Sequence, residues 1–269
     1  MSDFVQQQHT ICNFSNEESW VILSPIEQSI KQKIESVGTP LKDWDIKIYR
    51  GVLTGYNDAF IISTEKRDEI LANCHTEEER LRTAELIRPI LRGRDIKRYG
   101  YDWANLWLIN THNGIKGVKP RIDVNDYPAV KAHLDQYWDK ISKRADKGDT
   151  PYNLRNCAYL DDFFKPKIFY ADITQKLNFC RCDDVMFCNN TTYFITAKNP
   201  NILTHLERCL NTKLIDWYYR TLSVQLGENA VRMFSIYVFN IPIPDISDMP
   251  LATLYGLSES ESRYIDNLP

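Results

Sequence analysis

The chain has 269 residues, of which 43% are hydrophobic and 26% charged, and its net charge at neutral pH is −3. That length buries one large core or two small ones, and the near-neutral charge excludes a polycation, so any nucleic-acid role must come from a local patch. No signal peptide and no apolar run long enough to span a bilayer is present. The seven cysteines are an odd number outside any secreted-type framework, so the expectation is a cytoplasmic protein with free thiols and no membrane partner.

Residues 1–20 are polar and are expected to form a loose lead-in. Ser24-Pro25-Ile26-Glu27 is a helix start with a capping residue, proline at the first helical position and a capping-box glutamate. Ile26, Ile30, Ile34 and Val37 follow at helical spacing before Gly38. Ile46 and Ile48 alternate with polar neighbours as in a strand. Arg50 to Ile62 is expected to be strand, glycine-bounded turn and strand, an opening hairpin. Thr76 to Glu79 opens a helix that must stop near Pro89. Leu106 to Ile109 is a buried strand, followed by a Gly/Lys loop over residues 113–120. Asp126 and Pro128 start a long amphipathic helix carrying Val130, Leu134, Tyr137, Trp138 and Ile141. Residues 146–158 are loop, and Lys167–Tyr170 and Tyr193–Ile195 are strands. Asn199-Pro200 opens a helical region to about Leu222 with an interruption at Asn211-Thr212. A last strand spans Ile236 to Ile243. The rhythm is not βαβ, so the fold class is α+β, with mixed and antiparallel sheets and interspersed helices.

Charge is uneven along the chain. From Arg80 to Arg121 there are ten Lys/Arg (Arg80, Arg82, Arg88, Arg92, Arg94, Lys97, Arg98, Lys116, Lys119, Arg121) against three acids, whereas from Asn240 onward there are five acids and one arginine. One basic sector on a near-neutral chain suits a polyanion. Arg92, Arg94, Lys97 and Arg98 are candidates to neutralise phosphates, or for one of them to read guanine; their alternative is a solvated face with Asp95 pairing a neighbour. Lys116, Lys119 and Arg121 flank a glycine loop that would enter a groove or simply be surface. Thr54-Gly55-Tyr56-Asn57 either brings Thr54 and Asn57 to a phosphate or base edge, or only shapes a turn. Tyr99, Tyr101, Trp103 and Trp107 interleave with the basic segment, and half-buried core packing is favoured over base stacking for them.

Catalytic chemistry is missing from this sequence. No two glycines are separated by one residue, so there is no GxG cofactor loop, and there is no GxxxxGK[ST], GxSxG or Glu-x-Lys pattern and no Asn/Asp-Pro-Pro-Tyr/Phe tetrapeptide. Cys180, Cys182 and Cys188 lack a nearby fourth ligand, and His112 lacks a second histidine at metal spacing, so no metal site is expected. No catalytic residue is assigned.

Several ordered motifs resemble a known family. Trp44 to Ile62 (with Gly51, Thr54-Gly55, Asn57 and Ala59-Phe60) resembles the opening of the TaqI-like C-terminal specificity domain of type II and IIG restriction-modification enzymes and adenine-N6 DNA methyltransferases. The likeness continues through Ile90–Ile96 and Tyr99, Tyr127-Pro128, His133-Leu134, Arg144-Ala145-Asp146, Pro166-Lys167-Ile168 and Leu210–Leu214. It ends at Ile241-Pro242-Ile243-Pro244, so it covers about residues 20–245. The resemblance implies a target recognition domain that reads double-stranded DNA beside a linked or separate methyltransferase domain. That partner would hold S-adenosylmethionine and flip the adenine. No cofactor is expected in this chain, which would be a C-terminal fragment or a split-gene product. The expected organisation is a lead-in over 1–20, a recognition domain over 21–245 and an acidic tail over 246–269. The alternative is a protein–protein module that docks a methyltransferase or nuclease subunit with little DNA affinity of its own.

Overall fold

A computed structural model describes residues 22–227 and 229–268; the expected lead-in lies outside the described residues. In chain order the elements are α1 (Pro25–Val37), β1 (Thr39–Pro40), β2 (Ile46–Arg50), α2 (Asn57–Phe60), β3 (Ile61–Ser63), α3 (Thr64–Ala72), α4 (Glu77–Leu86), β4 (Ile87–Leu91), β5 (Ile96–Lys97), β6 (Gly100–Tyr101) and β7 (Leu106–Ile109). They continue with α5 (Pro128–Asp135), α6 (Trp138–Ile141), β8 (Lys167–Ala171), β9 (Ile173–Thr174), β10 (Phe179–Cys182), β11 (Phe187–Cys188), β12 (Thr192–Ala197), α7 (Ile202–Leu210) and α8 (Lys213–Leu222). The last are β13 (Gln225–Leu226), β14 (Ala230–Arg232), α9 (Ser235–Val238), β15 (Pro242–Ile243), α10 (Leu251–Leu254) and α11 (Glu259–Asp266). No helix among the described residues is long and apolar enough to cross a membrane.

The fold is α+β. Its centre is an antiparallel sheet ordered β10-β8-β12-β2, and a second sheet, β11-β4-β7-β3, contains one parallel pair, β11 with β4. All five residues of β8 are buried. Because side chains alternate across a strand, the central sheet feeds two cores. Phe169, Cys180, Cys182 and Phe194 point into one, with Phe60, Ile90, Leu108 and Val130. Ile168, Tyr170, Phe179 and Ile195 point into the other, with Ile30, Leu206, Ile215 and Tyr218. Cys180 and Cys182 therefore share a strand face, as their spacing implies, and serve as packing residues. A large-to-small change at Phe194, whose ring contacts Phe163 and Phe169, would cost about 3–5 kcal/mol.

Five sequence expectations are corrected by the described residues. Arg50–Ile62 is not a hairpin: β2 belongs to the central sheet and β3 to the second sheet, and the chain between them crosses from one to the other. At Gly51 the backbone runs so close to residues 188 and 189 that a Cβ would collide with the Asn189 carbonyl oxygen. The Gly51 N–H donates to Thr192 O (2.8 Å) and the Val52 N–H to Cys188 O (2.8 Å). Gly55 then takes a left-handed turn (φ 68°) into α2. The helix that opens at Thr76 does stop near Pro89, at Leu86, but the proline is not what stops it, since it lies inside β4, opposite Trp107. The amphipathic helix after Pro128 breaks at Gln136-Tyr137 into α5 and α6. The expected last strand is α9 followed by β15, whose two residues pair with β1. Finally, the acidic segment 246–269 carries α10 and α11, and Leu251, Tyr255 and Ile265 enter the second core; Asp248, Glu259 and Asp266 are exposed, whereas Glu261 is buried.

Two buried charges hold these parts together. Arg144 is 7% exposed and its guanidinium donates to the carbonyls of Thr54, Asp146 (2.6 Å), Pro151 (3.0 Å) and Asn153 (2.5 Å) while lying over Phe60 at 4.4 Å. One side chain thereby fixes the crossing segment and the 146–158 loop. Its pKa falls to about 10 because of burial, partly offset by Asp146. Glu261 on α11 is the second. Burial pushes its pKa up, but bonds from Lys33 Nζ (2.6 Å), Ser29 Oγ (2.6 Å) and the Ser258 N–H (2.6 Å) outweigh burial and hold it at about 2. A depressed folded-state pKa gives stability that is complete above the unfolded value near 4.5 and is lost as pH falls toward 2. Glu261→Gln is expected to lower stability at pH 7 by roughly 1–2 kcal/mol, allowing for solvent screening, and to flatten the acid limb of a denaturation series. An unchanged acid limb would show that the α11–α1 bridge does not form.

Candidate nucleic-acid interface

The seam between the two sheets opens into a groove of about 1170 Å³. Three stretches of chain supply most of its polar lining, with Leu106, Asn189 and Thr191 completing it. The crossing segment supplies Asn57 and Asp58, the turn after β4 supplies Arg92, Gly93, Arg94 and Lys97, and the turn from β8 to β10 supplies Asp172, Gln175, Lys176 and Asn178. The middle stretch is anchored by a short relay: Asn189 Oδ1 accepts from Thr191 Oγ1 (2.6 Å), which accepts from the Gly93 N–H (2.9 Å). Arg92 is fixed by Asp95, which is 3% exposed. Its Nε and Nη2 donate to the two carboxylate oxygens at 3.0 and 2.8 Å, and its own N–H donates to Oδ2 at 2.8 Å. Bonding to Asp95 raises the Arg92 pKa.

The candidate cations are thus not equivalent. Arg92 is committed to an internal partner. Arg94 and Lys176 are exposed and pair with no carboxylate among the described residues, and exposed Lys97 donates to the Arg94 carbonyl (3.3 Å) and makes a long contact with exposed Asp102 (3.7 Å). Arg98 is exposed at the tip of the β5–β6 hairpin, outside the groove lining. Lys116, Lys119 and Arg121 are not in this groove. They line a second hollow of about 900 Å³ with Asn113 and Asn156, where Lys119 faces Asp161 (3.3 Å) and Arg121 faces Asp149 (3.7 Å). The rest of the basic sector is engaged elsewhere: Arg80 with Glu77, Arg82 with the Asp126 carbonyl, and Arg88 over the Phe164 ring. His112 beside the second hollow has its pKa lowered by burial, then by Lys119, and its Nδ1 accepts from the Gly114 N–H.

Thr54 is corrected. It is 3% exposed, its hydroxyl donates to Asn57 Oδ1 (2.6 Å) and its carbonyl accepts from Arg144, so it shapes the turn and cannot reach a ligand. Asn57 is exposed at the start of α2 and faces the groove. Sequence reading missed Gln175, Lys176 and Asn178, which lie in a turn with no motif; the only signal was a polar run between two strands. It also missed Asp172, which sits between Arg50 (3.9 Å) and Arg232 (3.7 Å). Tyr101, Trp103 and Trp107 pack against the first core as expected, with Arg67 over Trp107 at 4.2 Å, whereas Tyr99 is 55% exposed. Its backbone is left-handed (φ 63°), which costs a non-glycine residue on the order of 1 kcal/mol.

The molecule is an α+β module with a groove bearing exposed cations at the seam of two sheets. The model of the TaqI-like C-terminal specificity domain matches residues 88–243, more than half of the chain, and the chain belongs to that family. It is 22% identical over 246 residues to the type II methyltransferase M.PaeR7I of Pseudomonas aeruginosa, covering 90% of this chain and 40% of that protein. It is 26% identical over 210 residues to the type II methyltransferase M.BanIII of Aneurinibacillus aneurinilyticus, covering 75% of this chain and 34% of that protein. The chain therefore spans well under half the length of these relatives. Its fold is similar to part of the type IIG restriction endonuclease BpuSI, with TM-score 0.51 and 13% identity over 91% of this chain and 28% of that one.

The Arg92–Asp95 pair is testable by stability alone. Asp95→Ala strands a half-buried guanidinium and is expected to cost about 3 kcal/mol in urea denaturation. A loss below about 0.5 kcal/mol would show an ordinary surface pair and return Arg92 to the set of available cations.

Proposed function

We propose that this chain is the DNA-reading part of a type II restriction-modification methyltransferase and holds duplex DNA along the groove between the two sheets. The observation that carries this reading is the convergence of Asn57, Arg94, Lys97 and Lys176, from three separate stretches of chain, on one open groove. Arg94, Lys97 and Lys176 supply phosphate neutralisation, and Asn57, Gln175 and Asn178 supply donors and acceptors suited to base edges. Arg92 keeps the turn in place. The parent enzyme is inferred to be adenine-specific, with S-adenosylmethionine bound and the methyl group transferred in a domain outside this chain. Lys116, Lys119 and Arg121, in the second hollow, are assigned a subsidiary phosphate-binding role.

The expectation is salt-sensitive DNA binding by the purified chain. Removing one phosphate-neutralising cation reduces the slope of log affinity against log salt by about 0.9. Arg94→Ala, Lys97→Ala and Lys176→Ala together are expected to lower that slope by roughly 2–3 and weaken binding to all sequences. An unchanged slope, or binding indifferent to salt, would contradict the reading.

A further inference from the structure

The β5–β6 hairpin displays a side chain that phosphate binding does not call for. Its connection is the pair Arg98-Tyr99, closed by the pairing of Lys97 with Gly100. Tyr99 occupies the left-handed position although Gly100, beside it, would take that conformation without steric cost and does not adopt it. The strained residue is also the exposed one, while Tyr101, Trp103 and Trp107 are packed. The tip is anchored as well: the Tyr99 N–H donates to Phe179 O on the edge strand β10 at 3.0 Å. Arg98 lies over the Tyr99 ring, 5.7 Å from its centroid. Lys97, next to Arg98, and Asn178, next to Phe179, line the groove while Arg98 and Tyr99 lie outside that lining, so the hairpin adjoins the groove.

Resting on the DNA reading above, we propose that Tyr99 stacks on a DNA base, with Arg98 covering the ring or the neighbouring phosphate. An aromatic face stacks on any base because every base has a π-face, and apolar or aromatic wedges enter where base steps open. A hairpin whose backbone is anchored suits this task, because its backbone has less freedom to lose on binding. The left-handed backbone aims the ring outward, and the anchor on Phe179 holds it there. An unpaired or mismatched base offers its face at lower cost than an intact step.

The test uses the whole chain and a short random-sequence duplex, intact or carrying one abasic site, in fluorescence-anisotropy titrations. Wild type is expected to prefer the abasic duplex. Tyr99→Gly, which removes the ring and the strain together, is expected to weaken binding to that duplex about ten- to a hundredfold with the salt slope unchanged. Tyr99→Phe should retain affinity, and Arg98→Ala should lower the salt slope. Thermal unfolding of Tyr99→Gly at or above the wild-type temperature would show that the fold is intact. Salt-sensitive binding by wild type, with Tyr99→Gly matching the wild-type affinity for each duplex, would overturn the stacking role alone. No DNA binding by wild type would overturn both this inference and the DNA reading.

Discussion

The structure depends on one constraint: the central sheet is covered on both faces. β8 has no solvent face, and its alternate side chains are shared between two cores. Any chain that passes from one side of this sheet to the other must do so at an edge or through a gap wide enough only for backbone. Residues 50–62 make that passage at the β2 edge, and Gly51 is the point of closest approach. The groove exists because the two halves meet there without closing over the seam. The same constraint explains why Arg144 is buried: beyond Val52 the crossing segment has no strand neighbour, and one guanidinium supplies donors to four carbonyls at once, including that of Thr54.

Positive charge in this protein is divided between two tasks. Arg144, Arg92 and the fully buried Lys167, whose Nζ donates to Asp184 O at 2.9 Å, hold loops and strands in place. Burial lowers the Lys167 pKa. Arg94, Lys97, Arg98 and Lys176 stand in solvent. The first group costs stability if a partner is removed, whereas the second acts through long-range attraction that salt screens. A count of charges along the sequence mixes the two groups.

Much of the fold was legible in the sequence where local chemistry decides it. The Ser24–Glu27 cap, the break at Asn211-Thr212, the strands at 46–50, 106–109, 167–171 and 192–197 and the α+β class follow from capping, periodicity and composition. The failures are tertiary. Gly51 and Gly55 read as a hairpin because nothing local says that β2 and β3 belong to different sheets. Pro89 read as a helix stop, but the helix had already given way to a strand at Ile87, because that strand has a partner in β7. The acidic segment after Asp245 read as a tail because Leu251, Tyr255 and Ile265 are too few to signal a core that distant segments such as α1 and α8 complete. For the candidate site, Asn57 and the 92–97 turn were visible as motifs. The division of the cations between two hollows was not, and neither was the contribution of Lys176, since both depend on which distant segments the sheets bring together.

Membership of the TaqI-like specificity domain family gives the groove its context, and the chain covers a minority of the length of its methyltransferase relatives. The central claim is that DNA lies along the seam between the two sheets. Amide hydrogen exchange of the chain with and without duplex DNA tests it most directly. The account predicts added protection at residues 92–101 and 172–178, with Arg144 and its loop unchanged. Protection confined to residues 113–121, or none at any segment, would contradict it.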